Sequence, residues 1–364
     1  MNFSEVAIIL GTRAEYIKMF PIMLELQKRK EDYYFIHTGQ HNLQNLCKTF
    51  GTKKPDVILS PEPSESSKFD AKESKAIKWS IKTMFKIRKE LKYLSSLKYV
   101  FYHGDTMSTG IAAISKLFNP FKKYQNVHLE SGLRSFSKEP FPEEIIRRIV
   151  TRFSDILIAP SKLAKSNLKN RKNVYVLGNT ILDSVDIASH MAKNRDLKPF
   201  DKKFALVVIH RHENISNKER LNKIVEILLS LEIPSYFTLH DNTKNQLVKF
   251  GLFDKLLENK NIKIIKPLDY ISMIFQMSNC SLLICDGGSI QEESLILKKP
   301  CIILRMATER QEGLKSNFQY LSKLDVEKTK EKIKEYLSKD FKVEPFKNPY
   351  GKKGISKKIV EILK

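Results

Sequence analysis

The chain alternates short apolar runs with helix-like stretches, and it runs through that series twice. Val6 to Leu10 is apolar throughout and stops at Gly11, after which Ile17, Phe20, Met23 and Leu26 keep helical spacing. Tyr33 to Ile36, Tyr99 to Tyr102, Asn126 to Leu129, Ile156 to Ala159 and Val174 to Leu177 read as further strands, and Asn42 to Phe50 as a helix. The series restarts with Phe204 to Ile209, Ser235 to Leu239, Ile262 to Ile265, Leu282 to Cys285 and Cys301 to Leu304, with helical stretches such as Lys218 to Leu231 between them. Continuous apolar strands separated by helices require a parallel sheet covered on both faces. Two series therefore predict an α/β protein of two Rossmann-like domains, residues 1–190 and 200–345, facing a cleft. The polar stretch Lys193 to Lys203, with Pro199, is the expected linker. At 364 residues the chain is also too long for one ordinary core.

Ser60 to Ser67 (SPEPSESS) reads as a mobile loop ahead of a long basic helix, Ala71 to Leu97, which holds the only tryptophan, Trp79. No apolar run approaches the ~18 residues of a membrane helix. The opening MNFSEVAIIL lacks a basic leader and reads as a first strand, not a signal peptide. Cys47, Cys280, Cys285 and Cys301 form no Cys-x-x-Cys pair, which suggests buried free thiols in a reducing cytoplasm. Lys and Arg number 64 against 41 Asp and Glu, a net charge of +23. The excess is spread along helix surfaces such as Lys28–Lys30, Lys165–Lys172 and Lys328–Lys334. A nucleic-acid groove would concentrate charge and interleave aromatics, so a solvated basic surface is expected and no nucleic-acid or membrane partner.

Parallel sheets present ligands at the carboxyl ends of their strands, and polar clusters sit just there. Gly11-Thr12-Arg13 follows the first strand, where glycine admits an anion and Arg13 and Lys18 could contact phosphate. No Gly-x-Gly-x-x-Gly is present, so a nicotinamide or flavin cofactor is not expected. His37, Gln40 and His41 follow the second strand; two histidines four apart could share a metal, but polar ligand contacts fit better without an acid between them. Asp105 could cap the next helix or face the cleft as a carboxylate. Glu130 ends an apolar strand, where a carboxylate is costly to bury without purpose, and Arg134 is its candidate partner. Pro142-Glu143-Glu144 has ordinary helix-start chemistry. Even so, Asp105, Glu130 and Glu143 converge on strand ends of one domain, and carboxylates with separated pKa values are how a fold performs acid/base work. In the second half, His210-Arg211-His212 could suggest a metal, which Arg211 would repel; His240 follows the next strand. Asp286-Gly287-Gly288-Ser289 opens a helix and makes a diphosphate seat, with Glu293 placed for ribose hydroxyls and Arg305 and Arg310 nearby.

In order along the chain stand GTRAEYIK, HTGQH, GDT, HLESGLRS, PFPEEIIRR, GNTILD, HRHEN, DGGSIQEES and TERQEG. Together, from about Leu10 to Gly313, they resemble the non-hydrolysing UDP-N-acetylglucosamine 2-epimerases. The resemblance implies a GT-B fold whose C-terminal segment, 348–364, crosses back onto the first domain. It implies cofactor-free, metal-free interconversion of UDP-GlcNAc and UDP-ManNAc by elimination of UDP and re-addition, in a cytoplasmic homodimer. It carries the acid/base role to Asp105, Glu130, Glu143 and His210, leaving open which takes the C2 proton. UDP-site matches are Arg13, Lys18, Gly288, Glu293 and Arg211, with Ser289, Arg134 and Arg310 beside them. His37, Gln40, His41 and His240 match positions at the cleft or, in bacterial members, near a regulatory UDP-GlcNAc site.

There are departures. The family's GTRPE is GTRAE here, with Ala14; its DSGG is DGGS, which puts Gly287 where a serine would meet diphosphate and leaves Ser289 as a nearby hydroxyl. HRREN becomes HRHEN, TERPE becomes TERQE at Gln311, the usual HP is His240-Asp241, and Ser64 to Trp79 matches poorly. These changes leave the acid/base set intact but open the identity of the sugar and any allosteric control. Alternatives are a hydrolysing 2-epimerase releasing ManNAc and UDP, a 2-epimerase of a UDP-linked diacetamido or uronic sugar, or a non-catalytic nucleotide-sugar sensor, which would have no need of the acid/base set.

Overall fold

The computed structural model describes residues 4–62, 73–120, 123–137 and 141–362. Part of the SPEPSESS loop, the first two residues of the expected basic helix and much of the poorly matching Ser64–Trp79 stretch lie outside them. Two compact units are present. The first comprises Met1–Arg134, Pro140–Ser184 and Pro349–Lys364, and the second Ser135–Glu139 and Val185–Asn348. The hand-over at Ser184–Val185 falls inside the Ile181–Lys193 helix, upstream of the polar Lys193–Lys203 stretch.

The first unit holds β1 (Val6–Leu10), β2 (Tyr33–His37), β3 (Val57–Ile58), β4 (Tyr99–His103), β5 (Gln125–Leu129), β6 (Ile156–Ala159) and β7 (Val174–Val176). They form one parallel sheet in the order β3-β2-β1-β4-β5-β6-β7. The second unit holds β8 (Ala205–Val208), β9 (Ser235–Thr238), β10 (Ile262–Ile265), β11 (Leu282–Cys285), β12 (Cys301–Ile303) and β13 (Gln319–Leu321). These form a second parallel sheet, β10-β9-β8-β11-β12-β13. In both, the first strand of the series lies centrally and the order reverses beside it, between β1 and β4 and between β8 and β11. A doubly wound sheet opens its ligand crevice at that reversal.

The expected strands occupy these positions with end shifts of a residue or two, within the ordinary uncertainty of element ends. Two strands were not expected: β3 and β13 are short edge strands, too brief to carry a periodic signal. The central strands are apolar for the predicted reason. Ala7, Ile9, Val100 and Tyr102 bury into one core with Ile87, Leu91 and Ile111 from flanking helices. Ala205, Val207, Leu282, Ile284 and Ile302 do so in the other with Leu221, Ile224 and Leu228. All four cysteines are free and buried. No helix of the described residues is long and apolar enough to cross a membrane.

The C-terminal residues belong to the first unit. Asp183 accepts from the Gly354 and Ser356 amides at 2.7 and 2.8 Å and from the Ser356 hydroxyl at 2.7 Å. The Ile355–Glu361 helix then packs on the Arg13–Lys28 helix, with Ile355, Ile359 and Val360 buried. Gly178 (φ +111°) lies so close to this segment that a Cβ there would stand 2.3 Å from the Tyr350 carbonyl.

Candidate active site

In the first unit the crevice is built around buried charge. Glu130 follows β5 in a left-handed conformation (φ 64°), and its side chain is only 5% exposed. Lys18 Nζ, itself buried, lies 2.8 Å from Oε1, and His103 Nε2 lies 3.2 Å from Oε2. Burial is the main force on His103 and drives it down to about 3 against the opposing pull of Glu130. It is therefore a neutral imidazole facing the carboxylate, and Lys18 is the cation paired with Glu130. A water-sized cavity of about 10 Å³ adjoins His103 and Glu130, walled in part by Thr180 and by Ile359 of the C-terminal helix.

Arg134, expected on Glu130, is not there. Its Nε lies 3.8 Å from Glu144 and its Nη1 donates to the Leu133 carbonyl at 2.7 Å. The left-handed turn at Glu130 carries the carboxylate toward β1 and β4, and the chain has turned again before Arg134. Asp105 is not a helix cap either. Thr106 caps the Met107–Ser115 helix, accepting from Thr109 N, while Arg147 grips Asp105 Oδ2 through Nε at 2.8 Å and Nη2 at 2.5 Å. Arg147 also bonds Glu144 at 3.1 Å, so the Glu143–Phe153 helix supplies both the clamp for Asp105 and, in its first turn, Glu143. His128 is likewise held neutral, down to about 4 chiefly by burial. Its Nε2 donates to the Gly104 carbonyl at 2.8 Å and its Nδ1 faces Ser131 Oγ at 2.7 Å.

Glu15, not singled out above, is the hub of the first loop. Its carboxylate accepts from Gly11 N (2.8 Å), Thr12 N (2.7 Å), Thr12 Oγ1 (3.0 Å), Thr106 Oγ1 (2.6 Å) and Thr109 Oγ1 (2.8 Å). It thereby ties the loop after β1 to the loop after β4. Thr12 and Glu15 form a capping box, a Thr-x-x-Glu pattern legible in the sequence. Gly11 is glycine because a Cβ would stand 2.1 to 2.6 Å from Ser108, Thr38 and Gln40 oxygens. His37 is fully buried: Nδ1 faces the Leu10 carbonyl at 3.1 Å, and Nε2 faces the His41 carbonyl at 2.8 Å and Glu62 Oε1 at 3.1 Å. Gln40 accepts from Ser108 Oγ at 2.6 Å. Arg13 is exposed at the start of the helix, where its amide donates to His41 Nδ1 at 3.2 Å.

The second unit is arranged differently. Asp286 follows β11 and is fully buried, yet it turns back to the loop after β8. It accepts from His210 N (3.1 Å), Arg211 N (2.9 Å) and Asn214 Nδ2 (3.1 Å). The Gly288–Leu297 helix starts at Gly287 with no side-chain cap, and Ser289 is its second residue. His210 keeps 44% of its side chain exposed, with Nδ1 3.7 Å from Asp286 Oδ1 and its ring 5.4 Å from that of His240. A Cβ on Gly288 would stand 2.8 Å from the Arg310 guanidinium. Arg310 is fixed by Glu292 at 3.2 Å and by Glu309. Glu309 is also met by Arg305 at 3.0 Å and Arg211 at 3.7 Å. Glu293 is buried beside the Tyr270 hydroxyl, whose pKa is raised first by burial and then by that carboxylate. Among the described residues no group of three or more His, Cys, Asp or Glu is placed to hold a metal ion.

Two doubly wound parallel sheets, each with polar loops at its strand reversal, define a Rossmann-like α/β protein of the GT-B class. The chain belongs to the UDP-N-acetylglucosamine 2-epimerase family, whose model matches residues 24–364. It is 36% identical to the UDP-N-acetylglucosamine 2-epimerase of Methanocaldococcus jannaschii, over 99% of this chain and 98% of that protein. A crystal structure of the M. jannaschii UDP-GlcNAc 2-epimerase in complex with UDP-GlcNAc and UDP superposes with a TM-score of 0.85 at 33% identity, covering 98% of this chain and 99% of the other. The Neisseria meningitidis UDP-GlcNAc 2-epimerase bound to UDP-GlcNAc gives a TM-score of 0.84 at 28% identity, covering 98% and 99%.

Proposed function

We propose that this chain is a non-hydrolysing UDP-N-acetylglucosamine 2-epimerase, an isomerase that interconverts UDP-GlcNAc and UDP-ManNAc in the cytoplasm as a homodimer. The observation that carries the reading is the pair of carboxylates held at adjacent strand ends by cations, Glu130 by Lys18 and Asp105 by Arg147. Burying a charge such as Glu130 is costly, Asp105 keeps 24% of its side chain exposed in the grip of Arg147, and the resemblance gives both of them a task. A base takes the proton from sugar C2, the C1–O bond breaks, and UDP departs with its electron pair to leave a C1=C2 glycal. UDP oxygen then returns to C1 while C2 is protonated from the opposite face. Asp105, Glu130, Glu143 and His210 share the proton transfers.

UDP sits on the second unit. The helix opening at Gly288 and Ser289 has no side-chain cap, so its amides and dipole are left for diphosphate. Glu293 addresses the ribose, and Arg211 and His240 flank the same loops. Arg13, exposed beside the first crevice, contributes a further phosphate contact. Lys18, His37, Gln40, Arg134 and Arg310 serve by building the site, which their burial and internal partners support.

The test is proton NMR of the purified protein with UDP-GlcNAc in D2O and no added cofactor. UDP-ManNAc carrying deuterium at C2 is the expected product. Free ManNAc with UDP would assign the hydrolysing reaction instead, and an unchanged substrate would reject this sugar. Sedimentation at micromolar concentration checks the dimer, and a monomer would reject it.

A further inference from the structure

Glycine at position 287 is not there for its backbone. Its φ of −78° and ψ of 138° are ordinary for any L-residue. What glycine supplies is space on one side. A Cβ at 287 would stand 3.2 Å from His210 Cε1 and 3.8 Å from Nε2, with Ile290 Cδ1 at an unremarkable 3.8 Å. The tight neighbour is therefore the imidazole alone, and along its Cε1–Nε2 edge.

That ring has little else to fix it. Its side chain is 44% exposed, and its Nδ1 lies 3.7 Å from Asp286 Oδ1, beyond hydrogen-bond distance. The His240 ring stands 5.4 Å away at 57°. The backbone beneath it, by contrast, is pinned through the His210 and Arg211 amides to the buried Asp286. The histidine thus has a backbone fixed by hydrogen bonds and a half-exposed ring, and the bare face of Gly287 is the surface on which the ring rests. Nδ1 lies on the Asp286 side of the ring, and the Cε1–Nε2 edge lies along Gly287, the N-cap residue of the Gly288–Leu297 helix.

We infer that Gly287 is a positioning residue for His210: the absent side chain lets the imidazole settle against the strand end with Nε2 at the mouth of the diphosphate seat. The inference rests on the proposed role of His210 for its effect on turnover, but the placement of the ring is independent of that role. An alanine must push the imidazole outward by a few tenths of an ångström, and a valine by more. A displacement of about 1 Å of a reacting group costs ~10²-fold in rate.

The experiment compares G287A, G287V, H210A and the double variant G287A/H210A. G287A is expected to lower kcat for UDP-GlcNAc epimerisation by ~3- to 10-fold and G287V by ~10²-fold, with the UDP Kd from calorimetry changed less than ~2-fold. The His210 Cε1 proton resonance, assigned by its loss in H210A, is expected to shift in G287A. In the H210A background, G287A should change neither residual turnover nor UDP affinity. An unmoved His210 resonance with unchanged kcat overturns the inference. So does a loss of UDP affinity that matches the loss of turnover in both backgrounds, since Gly287 would then act through the diphosphate seat. Full turnover in H210A would instead refute the catalytic reading of His210, while the resonance would still decide whether Gly287 places the ring.

Discussion

The two units share a strand order but differ in how the helices at the strand reversal are capped. In the first, Glu15 consumes the amides of Gly11 and Thr12, and the two helices at the strand reversal are capped by Thr12 and Thr106. In the second, Asp286 turns back to the loop after β8, and neither the short His212–Ile215 helix nor the Gly288–Leu297 helix has a side-chain cap. A capped helix N-terminus has fewer amides to offer an anion than one left open. The same topology therefore yields a crevice furnished with fixed internal charge and another that leaves backbone donors for a ligand.

The comparison is broken most directly by exchanging which unit a variant disables. E130Q or H210A should cut turnover ~10³-fold, within the span of acid/base contributions, while UDP still binds. Wild-type epimerisation in both would remove the site assignment. G288V should do the reverse. Its Cβ meets the Arg310 guanidinium at 2.8 Å, and with Arg310 held by two carboxylates we expect UDP affinity to fall ~10-fold or more, read by calorimetry. Unchanged affinity would mean that the open helix is not the seat.

Smaller effects sharpen the contrast. E15Q turns an amide toward donors that now share a carboxylate, and leaving buried donors unsatisfied costs ~1–3 kcal/mol. The denaturation midpoint should drop, with a smaller change in UDP affinity than G288V causes. If the order were inverted, the first loop would itself be a diphosphate site. Acidification should also select the first unit. His103 and His128 are depressed to about 3 and about 4 by burial, so the unfolded chain takes up their protons first. The stability they contribute is present above the unfolded value near 6.5 and is lost as pH falls toward the folded values. The slope is at most about 1.4 kcal/mol per pH unit for each. H103Q should flatten the slope between pH 6.5 and 4 in thermal melts; a slope unaltered by that change would show that His103 is not held neutral.

The layout was readable because central parallel strands are apolar on both faces. Val6–Leu10 and Leu282–Cys285 announce themselves in a way that Val57–Ile58 and Gln319–Leu321 at the sheet edges do not. The site was readable in part. Asp105, Glu130 and Gly288 stand at strand ends where topology expects ligands. Their partners do not follow from local spacing: Arg134 is near Glu130 in the chain, but the cation that reaches it is Lys18, 112 positions away. Nor could spacing show that Arg147, one helix later, would take Asp105 from its cap. Glu15 was legible as a capping box, but its bonds to Thr106 and Thr109 were not.

The segment that returns to the first unit also sets an order of events during synthesis. Residues 349–364 are translated after every residue of the second unit, yet Asp183 waits for Gly354 and Ser356, and the cavity beside Glu130 waits for Ile359. Domains generally fold as they emerge from the ribosome. Here the second unit emerges whole while the first still lacks a wall, so the polypeptide carrying the carboxylates is the earlier to be made and the later to be finished.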